Sequence, residues 1–482
     1  MKLMTGIVLC LHLGLTTASV SAQTMNLNQI LQKVIDHYPS LKAAAIQVER
    51  ARQDAIRVES QLAWQLSGKG GISRNMSLFG TPTDRVDVSG NLGRSLESGG
   101  TLSLNASLSR EDATTTFSPV LPNPSVTSSL DLKYRHPLAK GADNPAFSQA
   151  KEKAMVSKMI SSAEQQAMHD KLATQLIDLY IAASTTQSRI HNTQQAIART
   201  KRLQTYIKDR SGLGLSEDKD ILQVNAQLSA QQAEYQSLQI RWTQQRIALN
   251  RLMGRDWSDT LELVIDNSDS LPDQSHDDFF QQASLRSPAI LKVNEQLKLV
   301  DTAIKLSRDA KKDNLDLLMV LGNQTYGGDT VTGSQSESEI FGGVSLEFKR
   351  GLDKSGYDAE IYQAQLDRSV ALQNKKQIME DLYYDLSSLL MEIKVSQQTV
   401  QAYQLSVTSE QKKLKEAEQR YKDGRTDTDQ LIQFESHLSQ AMLAYELQKI
   451  ELNKRQYNLS LLLGELWKNI KLPDYSFLEA EE

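Results

Sequence analysis

Cysteine is almost missing from this chain of 482 residues: the single thiol is Cys10. It falls in the leader described below, so the mature chain has neither a disulfide framework nor a thiolate metal site. Histidine is scarce too. His37, His136, His169, His191, His276 and His437 are scattered with no ligand spacing, so each is expected on the surface or in packing. Basic excess is absent, because the formal net charge is −5, and that argues against a nucleic-acid footprint. No apolar run reaches the ~20 residues of a spanning helix. Gly212-Leu213-Gly214 is followed by no phosphate-loop or dinucleotide pattern and is not preceded by a strand, so no enzyme class and no cofactor find support. No stretch is simple enough to be a disordered linker. Apolar content of 39% suits thin helical walls better than a thick globular core.

The dominant feature that is present lies between Ser355 and Gly464. Leu382, Leu386, Leu389, Ile393, Val400, Tyr403, Val407, Leu414, Ala417 and Tyr421 recur on alternating four- and three-residue steps. Only Ser396 and Glu410 interrupt them. Heptads with no internal Pro or Gly predict one long coiled-coil helix from Ser355 to Asp423. Asp423-Gly424-Arg425 reads as a turn, with Thr426 or Thr428 as the cap of a returning helix that ends near Gly464.

This hairpin occurs twice. An ungapped shift of 210 residues lays Gly214 on Gly424 and Gly254 on Gly464, with Gln223 on Gln433, Leu228 on Leu438, Tyr235 on Tyr445 and Leu252 on Leu462 between them. A shift of 249 lays Tyr38-Pro39-Ser40-Leu41 on Ser287-Pro288-Ala289-Ile290. The chain is therefore expected to be two tandem copies of one unit, residues 23–270 and 271–482.

Ahead of them, residues 1–22 have the form of a secretory signal peptide: Lys2, an apolar run from Gly6 to Leu15, and Val20-Ser21-Ala22 before Gln23. Leu9 is bulky and nine residues make too short a leader, which disfavours a lipid on Cys10. The first copy opens with a helix from Leu27 to about Leu62. From Trp64 the period changes to two, with Leu102, Leu104, Ala106 and Leu108 alternating with Ser103, Asn105, Ser107 and Ser109. Strands are expected over about 64–136, and the alternation has the form of a transmembrane barrel or of a half-buried soluble sheet. Trp64 suits either an interfacial aromatic belt or a core. A helical hairpin over about 144–254 follows, first from Asn144 to Asp209. The second copy repeats the order: a helix from about His276 to Lys312, strands within about 314–349 (Leu315 to Leu321 and Val344 to Phe348), and the hairpin of about 355–464. Gly327-Gly328 and Ser334 to Glu339 read as a polar loop between those strands. The first copy is longer by 39 residues, placed most simply in Asp84 to Thr116, which leaves four or six strands per chain.

A cleaved leader followed by helix, strands, long helix, glycine turn and return helix, all given twice, resembles the TolC-type outer-membrane efflux protein family. "MNLNQILQKVIDHYPSLKAAAIQVERA" is similar to that family's repeat start, "RYKDGRTDTDQLIQFE" to its helical turn and "LSLLLGEL" to its repeat end. The resemblance implies an α+β membrane protein: a homotrimer whose outer-membrane β-barrel continues as a long α-helical periplasmic barrel. It implies outer-membrane lipid, a periplasmic adaptor and an inner-membrane pump or ABC exporter as partners, and a passive exit duct for efflux or type I secretion. Physics agrees on assembly, since a handful of strands cannot close a pore and lipid tolerates no open sheet edge. The rival is a periplasmic coiled-coil adaptor or structural protein, which leaves the strands unexplained. The resemblance further implies paired acidic residues at a tunnel constriction just after the turn. Ungapped counting puts Gln430 and Gln433 there in the second copy and Asp220 and Gln223 in the first, with Asp427 and Asp429 close by. The adaptor-docking tips are then Gly212, Leu213, Gly214, Leu215 and Ser216, and Gly424, Arg425 and Thr426.

Overall fold

A computed structural model describes residues 23–76, 82–114, 121–212, 218–265 and 274–472. The leader, the 270/271 boundary between copies, and Leu213, Gly214, Leu215 and Ser216 lie outside these residues. Strand β1 (Gln23–Met25) leads into helices α1 (Leu27–His37) and α2 (Pro39–Glu59). Strands β2 (Gln65–Met76), β3 (Pro82–Ser95), β4 (Thr101–Ala113) and β5 (Ser125–Pro137) come next. Helices α3 (Pro145–Gly212) and α4 (Asp218–Leu252) and strand β6 (Leu261–Leu263) follow. The chain continues with α5 (His276–Arg286), α6 (Pro288–Ala310), β7 (Asn314–Thr330), β8 (Gly333–Lys349), α7 (Ser355–Lys422) and α8 (Thr428–Leu462). α3 and α7 are each 68 residues long, and α4 and α8 each 35.

Three sequence expectations need correction. The helix from Leu27 to about Leu62 is broken at Tyr38, and the helix from about His276 to Lys312 is broken at Ser287. The cause is the proline that follows each: it starts a helix well but forces its predecessor out of the helical region. Tyr38 and Ser287 both have ψ of 116°. The apolar period runs across both breaks, so periodicity alone did not show them. Second, Gly327-Gly328 and Ser334 to Glu339 are not a loop. They pair as the outer halves of β7 and β8, in a ladder that runs from Asn314↔Lys349 to Thr330↔Gly333. Third, neither Thr426 nor Thr428 caps α8; Asp427 does.

The chain divides into two compact units. One gathers Met1–Pro39, His169–Phe280 and Tyr384–Phe477. Its core includes Leu27, Ile30, Leu31, Val34 and Ile35 of α1, Leu176, Ile177 and Tyr180 of α3, and Leu386 and Ile393 of α7. Asn26 and Gln29 close α1 with a reciprocal cap, at 3.0 and 3.1 Å. The C-terminal turn of α4 requires glycine at 254: its φ is +67°, and a Cβ there would lie 2.3 Å from the His37 ring.

The other unit, the described residues of Ser40–Met168 and Gln281–Tyr383, holds a six-stranded antiparallel sheet in the order β2-β3-β4-β5-β7-β8. The surplus of the first half appears as the β3–β4 hairpin, paired between β2 and β5. Lys354 holds Asp313 at 2.6 Å where the chain enters β7.

Candidate functional site

The register of the sheet separates its two faces, because directly opposed residues point to the same side. Leu66, Leu92, Leu104, Leu132 and Leu321 form one row across β2, β3, β4, β5 and β7. The row beside it on the other face is Ser67, Asn91, Asn105, Asp131 and Gly322. The apolar face is the exposed one: Leu66, Leu104, Leu132 and Leu321 are 38–81% exposed, and Ile72, Val88, Leu108, Leu130, Ile340, Val344, Leu346 and Phe348 continue the patch. On β4 the four alternating apolar positions Leu102, Leu104, Ala106 and Leu108 span about 20 Å along the strand.

On β3, β4, β5 and β7 the polar face is the more sheltered one, whereas β8 is exposed on both faces. Asn91 donates to Asn105, and Asn105 donates at 2.7 Å to Asp131, which is 8% exposed. Arg135 donates to the buried Asp316, and the Ser107 and Ser129 hydroxyls meet at 2.7 Å. A water-soluble sheet buries its apolar side; this one does the reverse. Trp64 is half exposed beneath the Arg94 guanidinium, 5.5 Å from its ring centre, which favours the interfacial place over the core.

The helical turns lie in the other unit. Gly424, at φ +72°, lets Arg425 N–H reach the Arg420 carbonyl at 2.8 Å and so ends α7. Asp427 accepts the Gln430 N–H at 2.8 Å as the α8 cap, and Thr426 donates to Gln430 Oε1 at 2.9 Å. Asp427 and Gln430 are thus brought together, with the Asp427 carboxylate engaged by the backbone. Asp429, Gln430, Gln433, Gly424 and Arg425 are exposed on the turn and the first turns of α8. Asp220 and Gln223 occupy the first turns of α4, Asp220 half-buried and Gln223 exposed. Gly212, the last residue of α3, is the tip residue of the first turn that falls within the described part.

Behind the second turn the heptad residues Leu414, Ala417 and Tyr421 are buried as the sequence pattern implies, but sequence reasoning missed their partners. Tyr421 shares a buried 2.9 Å hydrogen bond with Thr428, and its ring lies 5.6 Å from that of Tyr206 on α3. Leu414, Ala417, Tyr421, Leu431 and Leu438 form a core with Leu203, Tyr206, Phe434 and Met442 packed on it. Arg199 of α3 donates from Nε to both carboxylate oxygens of Glu435 on α8, at 2.8 Å each. The two side chains are only 16% and 13% exposed. Burial pushes the Glu435 carboxyl above the usual carboxylate range, and the Arg199 charge opposes the rise. A cavity of about 230 Å³ adjoins the pair, lined also by Arg202 and Glu418. The only signal in the sequence was opposite charge at positions 236 residues apart, which no local pattern links.

No protein-family profile and no curated protein sequence matches this chain. Its fold is similar to solved outer-membrane channels. The outer-membrane channel OprN shares 16% identity at a TM-score of 0.64, over 91% of this chain and 89% of that one. The outer membrane protein VceC of Vibrio cholerae shares 13% at 0.62, over 91% and 96%. The CmeC outer membrane channel of Campylobacter jejuni shares 15% at 0.61, over 94% and 90%. The chain has the fold of an outer-membrane channel protein, from its opening helix to its last long hairpin.

Proposed function

We propose that this chain is the outer-membrane outlet of a tripartite export system, a passive duct built from three copies. The observation that carries this reading is the inverted sheet: an apolar face in the open, a hydrogen-bonded polar face sheltered, and two edges, β2 and β8, each paired on one side only. Water disfavours such a face and lipid disfavours such edges, so the sheet needs both a bilayer and neighbouring copies to close it. The leader expected over residues 1–22 supports export to the outer membrane, and the two 68-residue helices supply a periplasmic extension. Two tandem copies of one unit account for the matched helix lengths. The likeness to OprN, VceC and CmeC supports the same reading.

On this reading the glycine turns dock a periplasmic adaptor that links the duct to an inner-membrane pump or ABC exporter, and cargo is chosen there. The constriction carries amides at Gln430 and Gln433, with Asp427 and Asp429 as exposed carboxylates close by, Asp427 also capping α8. The proposal predicts that the protein sediments with outer membranes and extracts in detergent as a three-fold ring. A monomer recovered from the soluble periplasmic fraction would overturn it.

A further inference from the structure

The hairpin that lengthens the first half of the chain has a consequence for the size of solute the duct can pass. We propose that β3 and β4 are wall strands, so that three copies close an eighteen-stranded barrel wide enough for hydrated polymers that a twelve-stranded ring would exclude. This rests on the trimeric outlet proposed above.

Three observations place the hairpin in the wall. It is paired on both sides along its length, from Gln65↔Gly93 to Met76↔Pro82 with β2 and from Thr101↔Arg135 to Glu111↔Ser125 with β5. A hairpin folded over the outside would leave β2 and β5 to pair with each other, and they do not. It also carries the two-faced pattern of the other strands, with Val86, Val88, Leu104 and Leu108 exposed on the apolar side. Finally, its polar side is joined to the rest of the sheet by side chains, through Asn91, Asn105 and Asp131 and through Ser107 and Ser129.

The geometry then sets the bore. Strands about 4.8 Å apart and tilted by about 40° give a ring about 36 Å across for eighteen strands and about 24 Å for twelve. Allowing about 5 Å of side chain on each side leaves openings of about 25 Å and about 14 Å. Most inward residues of the hairpin are short, as at Ser89, Asn91, Gly93, Ser103, Asn105 and Ser107, and the long ones toward its far end, Arg85 and Glu111, are tied to each other at 3.1 Å along the wall. The solute class admitted is a hydrophilic chain or compact polymer with a hydrated diameter near 20 Å.

Two measurements test this. In planar bilayers, polyethylene glycols graded in size are added to the barrel side alone, so that they enter the bore from its membrane end while the channel conducts. Loss of conductance with polymers up to about 25 Å across is expected; a cut-off near 14 Å would overturn the proposal. In a Cys10→Ser background, Ser89→Cys and Ser107→Cys should react with a water-soluble maleimide at least about tenfold faster than Val88→Cys and Leu108→Cys, which face lipid. Equal reaction at all four would put the hairpin outside the wall and overturn it. End-on images of the particle in nanodiscs separate the two failures. A three-fold ring about 24 Å wide sinks the eighteen-stranded wall alone, whereas no three-fold ring sinks the trimeric outlet as well.

Discussion

The six-stranded sheet and the helical turn region sort polarity in opposite senses. Around the second turn, Leu414, Tyr421, Leu431 and Leu438 are buried while Asp429, Gln430 and Gln433 are exposed, as water requires. In the sheet Leu66, Ile72 and Leu132 are exposed while Asp131 and Asp316 are buried. One chain therefore obeys two solvents. The helices follow the hydrophobic effect, and on the function proposed above the sheet follows the bilayer rule that apolar side chains belong outside and backbone groups must pair.

That contrast can be broken most forcefully by moving charge between the faces. Leu104→Arg puts a cation on the apolar side and is expected to cost about 2–4 kcal/mol of folding stability in liposomes. Ser107→Arg, three positions on and on the polar side, should cost less than about 1 kcal/mol. Urea unfolding in lipid vesicles measures both, and equal costs would erase the distinction between the faces. The helical turn is tested on a smaller scale. Removing the α8 cap by Asp427→Ala should lower stability by about 1 kcal/mol, and Asp427→Asn should restore most of it, as read by denaturant midpoint.

The smallest effect concerns pH. The Glu435 carboxyl lies above its ordinary value because it is buried, so the folded state favours its protonated form. That contribution is present in full below the unfolded carboxylate pKa and is lost as pH rises through the raised folded value. Wild type should therefore lose stability as pH rises across that acidic window, and Glu435→Gln should be flat there. A Glu435→Gln variant that keeps the slope would assign it to another group.

The legibility of these regions in the sequence follows the same division. β4 and β5 stood out because apolar and polar residues alternate strictly between their two faces, as in Leu102 to Ser109. The outer halves of β7 and β8 did not. Tyr326 and Ile340 apart, both faces there carry Asn, Asp, Ser, Thr, Gln, Glu and Gly, so nothing alternates, and the ladder from Asn323↔Ile340 to Thr330↔Gly333 is fixed by pairing rather than by composition. The heptads of α7 gave its limits to within a residue, yet the cap of α8 was read as Thr426 or Thr428 when it is Asp427. Arg199 and Glu435 were invisible because a long-range ion pair leaves no periodic trace. The sheet's side chains also show that composition misleads here: moderate apolar content conceals a large apolar surface turned outward.

The central claim is that the apolar face of the sheet meets acyl chains, and quenching by lipid tests it most directly. A Leu132→Trp variant and a Ser129→Trp variant are each folded into vesicles of brominated phospholipid, and the new indole emission is compared with that in unbrominated vesicles. The account predicts strong quenching from position 132 and little from position 129, although the two lie on one strand three residues apart. Equal quenching at both positions, or none at either, would contradict it.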